Sequence, residues 1–187
     1  MVRTFLAIDL PAEQKKILEK IQNRWKSFRA GIRWVPPDRM HLTLKFLGDI
    51  NTFQLKQVIN TTRNICSNHS SFNLSLGAAG VFPGTRRPRV LWIGLTGDTR
   101  DLILLHDHIE EHLAAIGFPP ESRRYSPHLT MGRVRSSRQI SRLIDAVYDE
   151  QIRSAPFQVS EVTIYESILT PESPVYTVLD RCPLACS

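Results

Sequence analysis

Hydrophobic positions along the chain switch between a period of two and a period near 3.6, and they do so twice in the same order. The segment "RTFLAIDL" (3–10) alternates as a half-buried strand should. "PAEQKKILEKIQNRW" (11–25) follows, with Ile17, Leu18, Ile21 and Trp25 at helical spacing behind a proline suited to a first helical turn. Next come a strand-like run, "HLTLKFLG" (41–48), a helix with Leu55, Val58, Ile59, Thr62 and Ile65 on one face, and a strand, "FNLSL" (72–76). The second half repeats the order. "RVLWIGL" (89–95) leads to a helix carrying Leu102, Leu105, Ile109, Leu113 and Ile116, and then to "HLTMGRV" (128–134). A helix with Ile140, Leu143, Ile144 and Val147 and a strand, "FQVSEVTIY" (157–165), complete it.

The spacing of the two series is nearly constant. Leu10 and Leu95, Leu55 and Ile140, and Phe72 and Phe157 are each 85 residues apart, and His41 and His128 are 87 apart. Four landmarks of different kinds at one offset indicate a duplicated strand–helix–strand–helix–strand unit. "SPVYTVLDRC" (173–182) adds a last strand candidate. We therefore expect residues 1–187 to form one α+β domain of two pseudo-symmetric lobes. Two mainly antiparallel sheets should face a central cleft, with helices on the outside.

Each half places histidine and threonine in a strand where valine or isoleucine would be ordinary. Residues i and i+2 of a strand share a face, so His41 projects with Thr43, and His128 with Thr130. Leu42, Leu44 and Phe46 are expected on the buried face of the first strand, Leu129 and Met131 on that of the second. Two imidazoles across a cleft suit in-line displacement at phosphorus. One removes a proton from the nucleophile and the other protonates the leaving oxygen, each transfer contributing about 10²–10⁴-fold. Histidine fits both roles because it titrates near neutral pH. The threonine hydroxyls can donate to non-bridging phosphoryl oxygens. Lys45 has the parity to join them as a cation; Arg133 has the wrong parity unless Gly132 marks a bulge. This chemistry requires no metal or other cofactor.

Net charge is +6 with 24 Lys and Arg, which favours an anionic partner. Basic clusters at 84–89, 122–124 and 132–138 lie beside the strand candidates. Cys66, Cys182 and Cys186 lack a disulfide or zinc framework and fit free thiols in a reducing compartment. No run is apolar and long enough to span a membrane, and the N-terminus lacks a secretory pattern, so cytoplasmic residence is expected.

The two H-L-T segments, with "RTFLAIDLP", "WVPPDRMHLTLKFLG", "RRPRVLWIGL", "YSPHLTMGRV" and "VTIYESILTPESPVYTVL", resemble the two-histidine (2H) phosphoesterase superfamily. Within it the chain is similar to the RNA 2′,3′-cyclic phosphodiesterases, historically called 2′-5′ RNA ligases. The resemblance implies a bilobal fold and metal-free opening of a terminal 2′,3′-cyclic phosphate on RNA, tRNA halves among the candidates, to a 2′-phosphate. It implies His41 and His128 as the acid–base pair and Thr43, Thr130 and Arg133 as phosphate ligands. His128 is taken as the base and His41 as the acid, although the pseudosymmetry permits either assignment. Met131 stands where the family often has leucine. One chain already supplies both halves of the cleft, so a monomer suffices.

Trp34 and Tyr125 precede the motif strands and are candidates for stacking on a terminal base, while Trp92 is expected in the core. Three rival readings stand beside this one. "HIEEH" (108–112) matches an inverted zinc-peptidase pattern, with His108 and His112 at i, i+4 on a helix; activity lost to a chelator would support it. A non-catalytic RNA-binding module would account for the charge but not for the duplicated His-Thr pairs. Reversible 2′-5′ ligation, or cleavage of 2′,5′-oligonucleotides, would use the same four residues.

Overall fold

Each half opens with a strand, β1 (Val2–Asp9) in the first, buried on both faces from Thr4 to Ile8, and β5 (Val90–Gly97) in the second. In the computed structural model, which describes residues 1–170 and 174–186, a helix follows each: α1 (Ala12–Lys26) and α3 (Thr99–Ala115). A short strand, β2 (Ile32–Trp34), then precedes the first of the motif strands, β3 (His41–Ile50) and β6 (His128–Val134), which run antiparallel to β1 and β5. Helices α2 (Thr52–Ser67) and α4 (Ile140–Tyr148) come next, α2 opening on a reciprocal capping box between Asn51 and Gln54. Strand β4 (Phe72–Phe82) ends the first half; in the second, the expected strand over 157–165 is split into β7 (Phe157–Val159) and β8 (Glu161–Ile168). The closing strand, β9, runs from Val175 to Pro183; Ser173, where the expected strand began, lies outside the described residues.

The strands are joined in the order β7-β4-β5-β6-β3-β1-β8-β9, with β2 added on β6. The two mainly antiparallel sheets are thus continuous. They meet at β3 and β6, where the one registered pair is Leu42 with Leu129. The order also shows an exchange of strands. β4, the last strand of the first half, lies beside β5 of the second, and β8 lies beside β1. Helices pair across the halves in the same sense, α1 with α4 and α2 with α3. Each lobe is therefore built from both copies of the repeat.

Inward residues such as Leu6, Ile8, Leu91 and Ile93 join the main core under the helices. A fully buried aliphatic side chain there contributes about 1.5–3 kcal/mol. The opposite face of β1 and β8 carries a smaller cluster of Phe5, Ala7 and Tyr165.

Both motif strands carry a bulge at the same place. Between β1 and β3 the register slips from Leu6↔Lys45 to Ala7↔Thr43, leaving Leu44 extra. Between β5 and β6 it slips from Leu91↔Gly132 to Trp92↔Thr130, leaving Met131 extra. One extra residue reverses the parity of the strand beyond it. Lys45 therefore turns inward and Phe46 outward, contrary to the alternation expected from sequence. In β6 the same slip buries Gly132 and sends Arg133 outward.

The inward position is filled differently in the two halves. A Cβ on Gly132 would lie 2.6 Å from Ile32 Cγ2 and 3.1 Å from Trp34 Cε3, so only glycine lets β2 cross there. Lys45, at the equivalent place, runs its side chain into the interior. Its ammonium donates to Glu110 Oε1 at 2.8 Å and to the Pro119 carbonyl at 3.0 Å. Glu110 Oε2 accepts from the Glu121 amide at 2.8 Å. Replacing Glu110 with alanine strands the Lys45 ammonium, which is 1% exposed. We predict a loss of about 3–5 kcal/mol in urea denaturation, most of it recovered in the Lys45→Met/Glu110→Leu double variant.

Candidate active site

The Leu42–Leu129 pair sets the arrangement of the motif residues. Antiparallel register about that pair puts His41 beside Thr130 and Thr43 beside His128. The leucines point into the core and the four polar side chains stay half-buried on the other face. Sequence pairing of His41 with Thr43 thus becomes, in space, an alternation of imidazole and hydroxyl around the joint of the two lobes.

The two rings are held alike. His41 Nδ1 donates to the Arg39 carbonyl at 2.9 Å, and His128 Nδ1 donates to the Ser126 carbonyl at 2.7 Å. A carbonyl only accepts, so each neutral ring carries its proton on Nδ1 and leaves Nε2 as a base. Aromatic side chains set the ring positions. His41 lies 4.9 Å from Phe5 and 5.3 Å, edge-on, from Tyr176, centroid to centroid. His128 meets Phe82 edge-on at 5.1 Å, and Phe82 stacks on Trp92 at 4.9 Å. Enclosure lowers the pKa of His41 below its ordinary value, chiefly by desolvation; the Arg39 carbonyl and the Asp9 carboxylate oppose the shift.

Beside His41 opens a cavity of about 370 Å³, within the usual span for small-ligand sites. It brings together His41, Thr43, Thr130 and Arg133, while His128 stands beyond its lining. Arg133 reaches it because of the bulge at Met131, the route by which sequence allowed it to do so. Arg33, paired across strands with Arg133, lines the cavity as well, as do Arg3 and Arg39. Like charges opposite one another repel, so a shared anion is the natural complement.

Three nominated residues serve otherwise. Lys45 is committed to Glu110 in the interior and does not face the cavity. Tyr125 is no stacking surface: its ring lies flat on His106 at 3.7 Å and its hydroxyl donates to the Thr43 carbonyl at 3.0 Å, bracing β3 from behind. Burial pushes its phenol pKa upward. Trp92 is not in the main core; it is half-buried and in register with Thr130 on the cleft face. Trp34 both packs against the core and lines the cavity.

The "HIEEH" segment lies on α3, away from this cavity. His108 Nδ1 meets His69 Nε2 at 2.7 Å, and His112 Nδ1 donates to the His108 carbonyl at 2.9 Å. Ile109 is fully buried, and His106 and Glu110 turn toward Tyr125 and Lys45. Among the described residues no three His, Cys, Asp or Glu side chains converge as metal ligands. No helix among them is long and apolar enough to cross a membrane, and all three cysteines are free. Sequence reasoning did not nominate Phe5, Phe82 or Tyr176 beside the imidazoles, nor Phe46 at the cavity. All four come from strand faces that a single extra residue or a distant pairing decides.

The sequence model of the LigT like Phosphoesterase family matches residues 8–92 and again 93–176, one match for each copy of the repeat. The RNA 2′,3′-cyclic phosphodiesterase of Methanothermobacter thermautotrophicus is 36% identical over 96% of this chain and 97% of its own. That of Methanocaldococcus jannaschii is 34% identical over 95% and 98%. Among solved structures, E. coli LigT in its apo form superposes with a TM-score of 0.72 at 30% identity, covering 98% of both chains. With both repeats matched and the fold shared end to end, the chain belongs to the LigT-like phosphoesterase family.

Proposed function

We propose that His41 and His128 are the acid–base pair of an RNA 2′,3′-cyclic phosphodiesterase. The carrying observation is the matched pair of His-Thr sites, each imidazole locked by the carbonyl two residues upstream, on either side of one interlobe contact. Relatives similar along nearly their whole length bear that activity in their names.

A terminal cyclic phosphate sits with its non-bridging oxygens on the Thr43 and Thr130 hydroxyls and the Arg133 guanidinium. Water attacks phosphorus as His128 Nε2 takes its proton. The bond from phosphorus to O3′ breaks, and His41 gives a proton to O3′, leaving a 2′-phosphomonoester. The surroundings favour this direction. His41 lines the cavity that would hold the nucleoside, whereas His128 stands beyond its lining and is left to activate water. In the free protein burial lowers the pKa of His41, and a bound anion would supply the charge that draws a proton to it. With a 5′-hydroxyl in place of water, the same residues join RNA ends through a 2′-5′ bond. The exposed arginines at 86, 87, 89, 135 and 138 offer the rest of an RNA chain a basic surface. Ends such as those of tRNA halves fit this description. On this reading one chain supplies both halves of the site, and an RNA substrate inside the cell implies residence in the cytoplasm.

Alanine at either His41 or His128 should reduce kcat on a nucleoside 2′,3′-cyclic phosphate by about 10²–10⁴-fold, with RNA affinity kept. RNA affinity kept by the variants of a wild type that shows no turnover would instead favour a binding module. Activity should persist in EDTA, which sets this mechanism apart from a zinc hydrolase.

The rate should follow a bell in pH, because one imidazole must be neutral and the other protonated. In the free protein, NMR titration of His41 should show a midpoint below the ordinary imidazole value of about 6.5, moving up when the 2′-phosphate product binds. The unfolded chain takes up this proton first as pH falls. The stability contributed by neutral His41 is therefore full above that value and is lost as pH drops through the lower folded-state pKa.

A further inference from the structure

The two imidazoles have different cross-strand neighbours. Register between β1 and β3 puts Asp9 opposite His41, and register between β5 and β6 puts Gly94 opposite His128. Asp9 and Gly94 are 85 residues apart, the offset of the repeat, so they hold one place in the two halves. Directly opposed residues of an antiparallel pair share a face, with Cβ atoms about 4.5–5.5 Å apart. His41 therefore has a carboxylate beside it, where His128 has no side chain at all. Phe5, Ala7 and Asp9 lie on that face of β1, and Thr163 and Tyr165 on the matching face of β8. The Tyr165 hydroxyl donates to the Asp9 carboxylate, 2.6 Å from either oxygen. Burial, aided by that carboxylate, pushes the phenol pKa upward, so Tyr165 remains the donor. Arg181 Nη1 stands 3.8 Å from Asp9 but is bonded to Glu161, which leaves the charge on Asp9 only partly offset.

We propose that Asp9, clamped by Tyr165, is a positioning residue that holds the proton on His41 and so gives the acid's role to that imidazole rather than to His128. The proposal rests on the cyclic-phosphodiesterase reading and adds to it the device that directs a pseudosymmetric pair. A second cavity shares Arg39, Met40, His41 and Tyr176 with the first and adds Asp9, Lys15 and Tyr165, so Asp9 and His41 face one space. The other charged groups about His41 are Lys15 from α1, Asp38 and Arg39 from the turn before β3, and the arginines of the first cavity. Asp38 is exposed and 4.0 Å from Arg39. Tyr165 and Tyr176, from β8 and β9, are phenols that burial keeps neutral. Asp9 is thus the anion that opposes a cationic surround, and its field favours the charged ring while that of Lys15 disfavours it. Gly94 offers His128 no such partner, which suits a group that must take a proton from water.

The test is the Asp9→Asn variant, which keeps the shape and an acceptor for Tyr165 but removes the charge. In NMR titration of the free protein, the His41 midpoint should fall below its wild-type position while that of His128 stays where it was. On a nucleoside 2′,3′-cyclic phosphate, kcat should drop roughly tenfold at pH 8 and less than about twofold at pH 5.5, where His41 is protonated without help. Asp9→Glu, which returns the charge on a longer arm, should recover most of the rate at pH 8. A His41 midpoint unmoved in Asp9→Asn, or a kcat lowered by one factor at both pH values, overturns the proposal and leaves Asp9 a structural residue. A wild type that opens no cyclic phosphate overturns the activity itself, while the NMR titration still reads the coupling of Asp9 to His41, so the two failures are distinct.

Discussion

Everything at the cleft depends on the contact between Leu42 and Leu129. The two leucines are buried, at 1% and 0% exposure, and belong to the main core. Because residues on a strand alternate, fixing them fixes the opposite orientation of their neighbours on both sides. Two histidines and two threonines are therefore held on one face by the packing of residues that have no chemistry of their own. A one-residue slip of either strand at this joint would send its histidine and threonine into the core and its leucine into solvent. The free energy of the core thus enforces the geometry of the site.

Much of this was legible from sequence because duplication doubles every signal. A lone histidine in an apolar strand is ambiguous; two, each followed by threonine at i+2, with helices and strands at a constant offset, are not. What escaped was anything decided by an extra residue or a distant partner. Leu44 and Met131 look like ordinary inward positions, and period-two reasoning carried past them misplaced Lys45 and Phe46. Only glycine hinted at the slip, and only in the second strand. The exchange of β4 and β8 between lobes was equally hidden, since a repeat reports its period and not which copy its last strand joins. Tyr125 looked like a base contact because it precedes a motif; its role was fixed by His106 and Thr43, each far from it in sequence.

The pseudosymmetry is a property of the backbone, and the departures from it give the site a direction. Gly132 makes room for β2, while Lys45 in the equivalent place braces β3 through Glu110. Arg133 and Phe46 are likewise exchanged across the axis, one a cation and the other an exposed apolar ring. A symmetric cleft would bind a cyclic phosphate in two orientations of similar energy, and half of those encounters would present the wrong oxygen to each imidazole. On the proposed reading, unlike side chains on a common frame remove that degeneracy without disturbing the spacing of the two imidazoles.

The same logic reaches the imidazoles. Their anchors are equivalent, so each neutral ring leaves Nε2 as its base, but their surroundings differ. His41 is enclosed by Phe5, Tyr165 and Tyr176, and His128 has Phe82 as its aromatic neighbour. Enclosure disfavours the charged ring, so His41 holds a proton weakly until an anion arrives. In the proposed reaction a departing alkoxide requires a weakly held proton, and a bound phosphate would favour the charged ring that supplies it. On the proposed assignment of His41 as the acid, its protonation is coupled to occupancy of the site by an anion.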